Sequence, residues 1–241
     1  MLKKILILLL IMGVAGFVTL KIMDEPVPQG EQGQAAERLA DKMLKAVNHE
    51  AWEKLPAVKW SFYRGHDFIW DKRRDLVEVK WDNMRVLLNT REVKGVAFRE
   101  GQQLSGSEAE EAIQTAWEYF ANDSFWLAAP FKIKDPGTER RLVDHDGKDA
   151  LLVTYSSGGV TPGDSYLWIL DEDGTPSAWK MWASILPIGG LSYTWDNWKT
   201  YNYNVKLSSS HEGIMDVNLS NIEVSDNVAN LNKGIDPFKE M

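Results

Sequence analysis

The chain contains no cysteine. That absence removes disulfide bridges, thiolate nucleophiles, cysteine-ligated zinc and iron–sulfur clusters together. It also removes the lipid-modified cysteine that many bacterial envelope proteins carry behind their signal. Histidine is scarce, at four in 241 residues, and basic charge is in deficit, with 27 Lys and Arg against 35 Asp and Glu and a net charge of −8. A chain with no cationic excess has little with which to displace the counterions of a phosphate backbone, so nucleic acid is not expected as a partner. Also missing are a Gly-x-Ser-x-Gly elbow, a His-Glu-x-x-His helix and a Walker loop. The expectation is a protein with no catalytic residues, no metal and no cofactor.

What the chain has in quantity is tryptophan, eleven of them, within an ordinary globular composition of 44% hydrophobic and 26% charged residues. Its one long hydrophobic run comes first. Lys3 and Lys4 precede the uncharged segment Ile5–Leu20, and Lys21 closes it. At about 1.5 Å per residue a helix of this run reaches roughly 24 Å, somewhat short of a ~30 Å hydrocarbon core. Leu2, Ile22 and Met23, with Lys21 snorkelling, bring the span close to sufficient. Two readings stand: an uncleaved signal anchor over residues 1–23, or a cleaved secretory signal with Gly13 and Ala15 before the cut. The preferred one is the anchor, since a cut there leaves apolar Phe17–Met23 at the new terminus. Lysines before the run and Asp24 and Glu25 after it orient the N-terminus inward and the rest outward. The expected location is the bacterial cell envelope: the inner membrane in single pass with a periplasmic domain, or the periplasm if the signal is cut. Residues 24–33 (DEPVPQGEQG) hold two prolines and two glycines and read as a flexible linker.

Beyond it, Ala36, Leu39, Ala40, Met43 and Val47 recur at helical spacing, and the helix continues or restarts before Pro56. The period then becomes two. Val58-Trp60-Phe62 alternates with Lys59, Ser61 and Tyr63, Phe68 and Trp70 with Asp67 and Asp71, and Val77-Val79-Trp81 with Glu78 and Lys80. Met84-Val86-Leu88 and Val96-Phe98 follow, and the polar turns between them predict a five-strand antiparallel meander with one apolar face. Ser107 with Glu110 predicts a capped helix through Ile113, Ala116, Trp117 and Phe120, with Asn122–Pro130 as a second, shorter apolar piece. A second β series follows: Leu142–Asp144 and Leu151–Tyr155 about Asp146-Gly147, Tyr166–Leu170 and Ala178–Ala183 about the DEDGTP turn, then Tyr193–Trp195, Tyr201–Leu207 and Asp216–Val224. Residues 227–241 read as a loose tail. The predicted fold is α+β over residues 34–226: a curved antiparallel sheet of about ten strands, an open half-barrel with helices packed on its inner face, plus the N-terminal membrane helix.

Helix, meander, capped helix and second meander resemble the LolA/LppX-like superfamily of envelope lipid and lipoprotein carriers. The segment Asn122–Glu139 (NDSFWLAAP then FKIKDPGTE), the stretch Ser165–Trp179 with its DEDG turn, and Asn221–Val224 (NIEV) are similar to uncharacterised LolA-like envelope proteins. The resemblance covers roughly residues 35–224. It implies a half-open barrel closed by helices, with a cavity for an acyl chain or the lipid of a lipoprotein. A tethered chain departs from the soluble shuttles of that superfamily and suits local capture, sensing or assembly.

Three uses of the aromatic residues remain open. The first is an apolar ligand cavity lined by Trp60, Phe62, Phe68, Trp70, Trp81, Phe98, Trp168, Trp179 and Met181. Ile185, Leu186, Ile188 and Leu191 of the ILPIGGL segment would form a lid over it or touch membrane. The second is a glycan platform of Trp182, Trp195, Trp198, Tyr201 and Tyr203. The third is an ordinary packed core beneath an interaction or scaffold surface, which asks only for burial. The His-acid pairs His49-Glu50, His66-Asp67, His145-Asp146 and His211-Glu212 fall at turns and element ends, where the acid serves the turn. The glycine-rich Ser156–Ser165 lacks a following helix to hold a phosphate, and Asp171–Gly174 lacks the later ligands of a calcium loop.

Overall fold

A computed structural model describes residues 24–157 and 162–241. The expected anchor Ile5–Leu20 lies outside the described residues, as do residues 158–161 of the glycine-rich loop. Among the described residues no helix is long and apolar enough to cross a membrane.

Helix α1 (Gln34–Ala46) buries Ala36, Ala40 and Met43, the stripe that the helical spacing marks out. Asn48, in the left-handed region at φ 58°, turns the chain into the short α2 (His49–Lys54), which buries Trp52. The meander follows as β1 (Ala57–Phe62), β2 (His66–Asp71), β3 (Leu76–Trp81), β4 (Met84–Asn89), β5 (Lys94–Arg99) and the short β6 (Gln102–Gln103). Helix α3 (Gly106–Ala128) then runs unbroken through the point where two pieces were expected, because no glycine or proline interrupts it before Pro130. Its N-cap is Ser105, two residues earlier than predicted, and no side chain caps it.

The second series is β7 (Thr138–His145), β8 (Lys148–Tyr155), β9 (Ser165–Leu170), β10 (Pro176–Trp182), β11 (Leu191–Thr194), β12 (Lys199–Thr200), β13 (Lys206–Leu207), β14 (Ser210–His211) and β15 (Val217–Ser225). Every strand pairing is antiparallel. In place of one sheet of about ten strands there are two large sheets. One has eight strands in the order β14-β15-β1-β2-β3-β4-β5-β6, the other five in the order β11-β10-β9-β8-β7. Neither closes into a barrel. Backbone bonds from Thr194 N to Glu212 O (2.9 Å) and from Asp196 N to Ser210 O (2.9 Å) seam one sheet to the other beside β11 and β14. The inner faces share one core, with the helices between them: α3 packs on β3, β4 and β5, and α1 on β7 and β8. The α+β class with antiparallel, unclosed sheets matches the sequence-based expectation.

The outer faces hold the departures. Residues 24–33 were expected to swing freely, yet Glu31 exchanges backbone bonds with Leu142 (2.9 and 2.8 Å) and the Trp182 indole donates to Glu25 O at 2.7 Å. Gly30 passes so close that a Cβ there would meet the Val143 methyl at 2.7 Å. The segment lies along the second sheet beside the small outer cluster Val143, Ala150, Leu152 and Leu167. At the other terminus, the segment expected to be a loose tail forms α4 (Val228–Leu231) and a final 3-10 turn (Pro237–Glu240). Val228, Leu231 and Phe238 cover Ala57, Ile69 and Leu87 on the outside of the first sheet. Arg74 clamps this tail by binding Asp236 through both terminal nitrogens (2.9 and 3.0 Å). Leu231→Ala is therefore expected to cost about 2 kcal/mol in denaturant unfolding, where a free tail would register nothing.

Candidate functional site

The candidate site is the aromatic interior between the two sheets, with α3 lying across it. Strand alternation aims Trp60, Phe68, Trp70, Val77 and Val79 inward from the first sheet. Trp60 stacks on Phe68 with ring centroids 4.6 Å apart, and Phe120 of α3 closes over Trp60, Phe68 and Trp70 at 6.4, 6.4 and 5.1 Å. Trp81 meets Tyr119 of the same helix edge-on at 5.4 Å. Further along α3, Phe125 and Trp126 reach the second sheet, where Trp168, Trp179 and Trp195 contact one another at 5.0, 5.1 and 5.0 Å. One helix thus spans both aromatic sets.

Eight of the nine cavity residues proposed from the sequence therefore share one core: Trp60, Phe62, Phe68, Trp70, Trp81, Trp168, Trp179 and Met181. Phe98 does not. The register pairs Phe98 with Arg85 and Val96 with Leu87, all on the outer face, while Ala97 turns inward. Arg85 lies over the Phe98 ring at 5.2 Å. The reason is steric: α3 packs directly on β5, and small residues let it approach. Of the lid segment, Ile188 is buried, Leu186 and Leu191 are half-buried, and Ile185 stands out in solvent. The five residues of the glycan alternative do not share a surface. Trp195 is buried in the inner core, Trp182 packs on the outer side of the second sheet, and the Trp198 indole donates to the Pro176 and Trp195 carbonyls.

The interior is not wholly apolar in its atoms. Five indole N–H groups, those of Trp60, Trp70, Trp168, Trp179 and Trp195, are buried without a hydrogen-bond partner among the described residues, and the Tyr155 hydroxyl joins them. Burial pushes the Tyr155 phenol well above its ordinary range. An unpaired buried donor costs on the order of 1–3 kcal/mol, so five in one core is a large expense for packing alone.

Two histidines sit against the same helix. His66 Nδ1 is 2.6 Å from the Asp123 carboxylate, and its ring stacks on Tyr119 at 3.9 Å. Asn122 donates to the other Asp123 oxygen at 2.9 Å. Burial raises the Asp123 carboxyl above its usual value against the opposing pull of His66. This pair latches α3 to the start of β2. The adjacent Asp67 bonds Ser61 instead, so the His-Asp dipeptide is incidental. Asp123 was missed although a signal existed: it falls in the helical series Ala112, Ala116, Phe120, Asp123, Leu127, all buried. His211 is the second, fully buried on β14 with its ring 4.3 Å from Trp195 and 5.3 Å from Trp126. Its Nδ1 faces the Thr194 carbonyl at 3.1 Å, and burial lowers it to about 4. His49 and His145 make only surface pairs with Glu53 and Asp146. Among the described residues no three His, Asp or Glu side chains gather as a metal site would require.

Two clefts lie outside this interior. One, of about 410 Å³, runs between Arg73, Arg74, Asp71 and the docked tail; the other, of about 300 Å³, lies along the β3–β4 turn. Trp81 alone of the proposed cavity residues lines either. No family model matches the chain, and no curated protein does. Among solved structures it is similar to a DUF1329 family protein from Desulfovibrio piger at 10% identity and a TM-score of 0.41, over 80% of this chain and 95% of that one. It is also similar to a domain from Vibrio parahaemolyticus named for outer membrane lipoprotein sorting, at 11% identity and a TM-score of 0.36, over 78% and 94% of the two chains. Both likenesses are weak.

Proposed function

We propose that this chain is an envelope-tethered, non-catalytic domain that takes an acyl chain or similar apolar ligand between its sheets when α3 lifts away. The observation carrying this reading is the set of five indole N–H donors buried without a partner among the described residues, within the core that α3 shares. An acyl ligand with a carboxyl or ester oxygen supplies apolar surface and an acceptor together. The unclosed sheets leave α3 a direction in which to move, and the His66–Asp123 pair is the buried polar contact among those that hold it.

The test is lipid extraction and mass spectrometry of gently purified protein, followed by titration with a fluorescent fatty acid while tryptophan emission is read. Acyl lipid recovered in stoichiometric amount and saturable uptake are expected. Protein that is repeatedly empty and takes up nothing would overturn the reading. A second reading then stands, a scaffold domain with a packed interior, favoured by the continuous aromatic packing between the sheets.

A further inference from the structure

The antiparallel register collects several turns at one end of the molecule. The β1–β2 turn carries Tyr63 and Arg64, and the turn before β15 carries Ile214 and Met215. The Tyr63 hydroxyl lies 3.9 Å from Met215 Sδ. Through the seam at Thr194 and Glu212 this end continues to the β10–β11 loop, which carries Ile185. Ile214 at 70% and Ile185 at 69% are the two most exposed large apolar side chains among the described residues; Ile235, in the C-terminal segment, follows at 64%, and Met215 is 51% exposed. Nothing in the fold needs them there.

The same loop holds the first described residues. Gly189 N donates to Asp24 Oδ1 at 2.9 Å, and Glu25 N donates to Gly189 O at 3.2 Å. Only Lys21, Ile22 and Met23 separate Asp24 from the uncharged run ending at Leu20. Four peptide steps reach at most about 14 Å even when fully extended. With residues 24–31 fastened along the second sheet, the linker has no length left with which to swing the domain away. The described chain therefore begins, at Asp24, at the same end as Ile185 and Ile214, and the headgroup region is itself roughly 5–8 Å deep.

We infer that this end faces the bilayer, and that Ile185, Ile214 and Met215 enter the interface of the membrane in which Ile5–Leu20 is seated. The inference rests on the anchor reading of that run. The chemistry is apolar insertion, because the exposed carboxylates Asp82, Glu212 and Asp216 share this end and oppose attraction to anionic lipid. Such a domain has a fixed orientation on its membrane and does not shuttle.

The absence of native cysteine allows single labels. Ile185→Cys and Ile214→Cys, with Asp146→Cys and Glu172→Cys in turns at the opposite end, are each made in the full chain. Each is labelled with an environment-sensitive fluorophore and reconstituted into phosphatidylcholine vesicles containing a nitroxide-labelled lipid. Flotation of the chain with the vesicles reads the anchor; the labels read the surface. Blue-shifted, nitroxide-quenched emission at positions 185 and 214, unchanged by salt, with neither effect at 146 and 172, is the expected result. Flotation with all four labels equally water-exposed overturns the inference and leaves the tether standing. Failure to float removes the anchor and the inference with it.

Discussion

Trp179→Ala is expected to destabilise the domain by about 4 kcal/mol, the range found for large aromatic truncations in a filled core. For a domain of this size that lowers the melting temperature by about 8–16 °C. Trp179 is 1% exposed and touches Phe125, Trp126, Tyr166, Trp168 and Trp195, so its loss strips contacts from both the second sheet and α3. The size of the effect separates two states of the interior. A side chain lining a standing cavity has no partner atoms on one side, and its removal would cost about half as much. Thermal unfolding of Trp179→Ala beside the surface control Ile185→Ala decides between them. A full loss means the resting domain is closed, so that the proposed uptake of a ligand would require α3 to move. A small loss in Trp179→Ala means the space is already open.

Most strands were legible because one rule governs them. In β1 and β3 the large apolar residues alternate with polar ones, and period two fixes which side turns in. The rule fails at β5, where Val96 and Phe98 alternate with Gly95 and Ala97 and both sets are apolar. Side-chain size points to the larger pair, but the helix above requires the smaller one inside, and helix packing is a tertiary fact. The docked termini were misjudged for a related reason. Segments rich in proline, glycine and charge lack any period, and their contacts come from backbone bonds and a few anchors such as Phe238. A signal for them was present on the strands they cover. Val86-Leu87-Leu88 and Leu151-Leu152-Val153 are continuous apolar runs, and a strand buried on one side has no use for the middle residue. Leu87 and Leu152 are that middle residue, and the C-terminal and N-terminal segments flank them respectively. Two-sided burial could have been read from the runs; the identity of the cover could not. The His66–Asp123 latch joins residues 57 apart and depends on how α3 crosses the sheet, which no local pattern encodes.

The second large effect is a loss of stability in mild acid that depends on His211. Its ordinary value of 6.5 falls to about 4 in the fold, chiefly because burial penalises the charged ring, while the Thr194 and Trp126 backbones and Asp196 pull weakly the other way. A group depressed in the folded state contributes stability that is present above its unfolded value and is lost as pH falls toward its folded value. The window is therefore pH 6.5 down to about 4, and the full loss is on the order of 3 kcal/mol at about 1.4 kcal/mol per unit. The depressed carboxyls of Glu37 and Asp236 enter only below their ordinary values of 4.5 and 3.8, so measurements above pH 4.5 leave them aside. His211→Phe keeps a ring against Trp195 and Trp126 and gives up the bond to Thr194, at a cost of about 1 kcal/mol near pH 7.5. The two melting curves should consequently cross, with the wild type more stable at pH 7.5 and the variant more stable at pH 4.5. Parallel curves would mean that His211 takes up its proton without penalty, and thus that water already reaches the seam between the sheets. A crossing would place that seam, and the tryptophans beside it, behind a barrier that a proton crosses only as the fold loosens. On the proposed apolar-ligand function, a ligand entering from the aqueous side would meet the same barrier, and α3 would have to move to admit it.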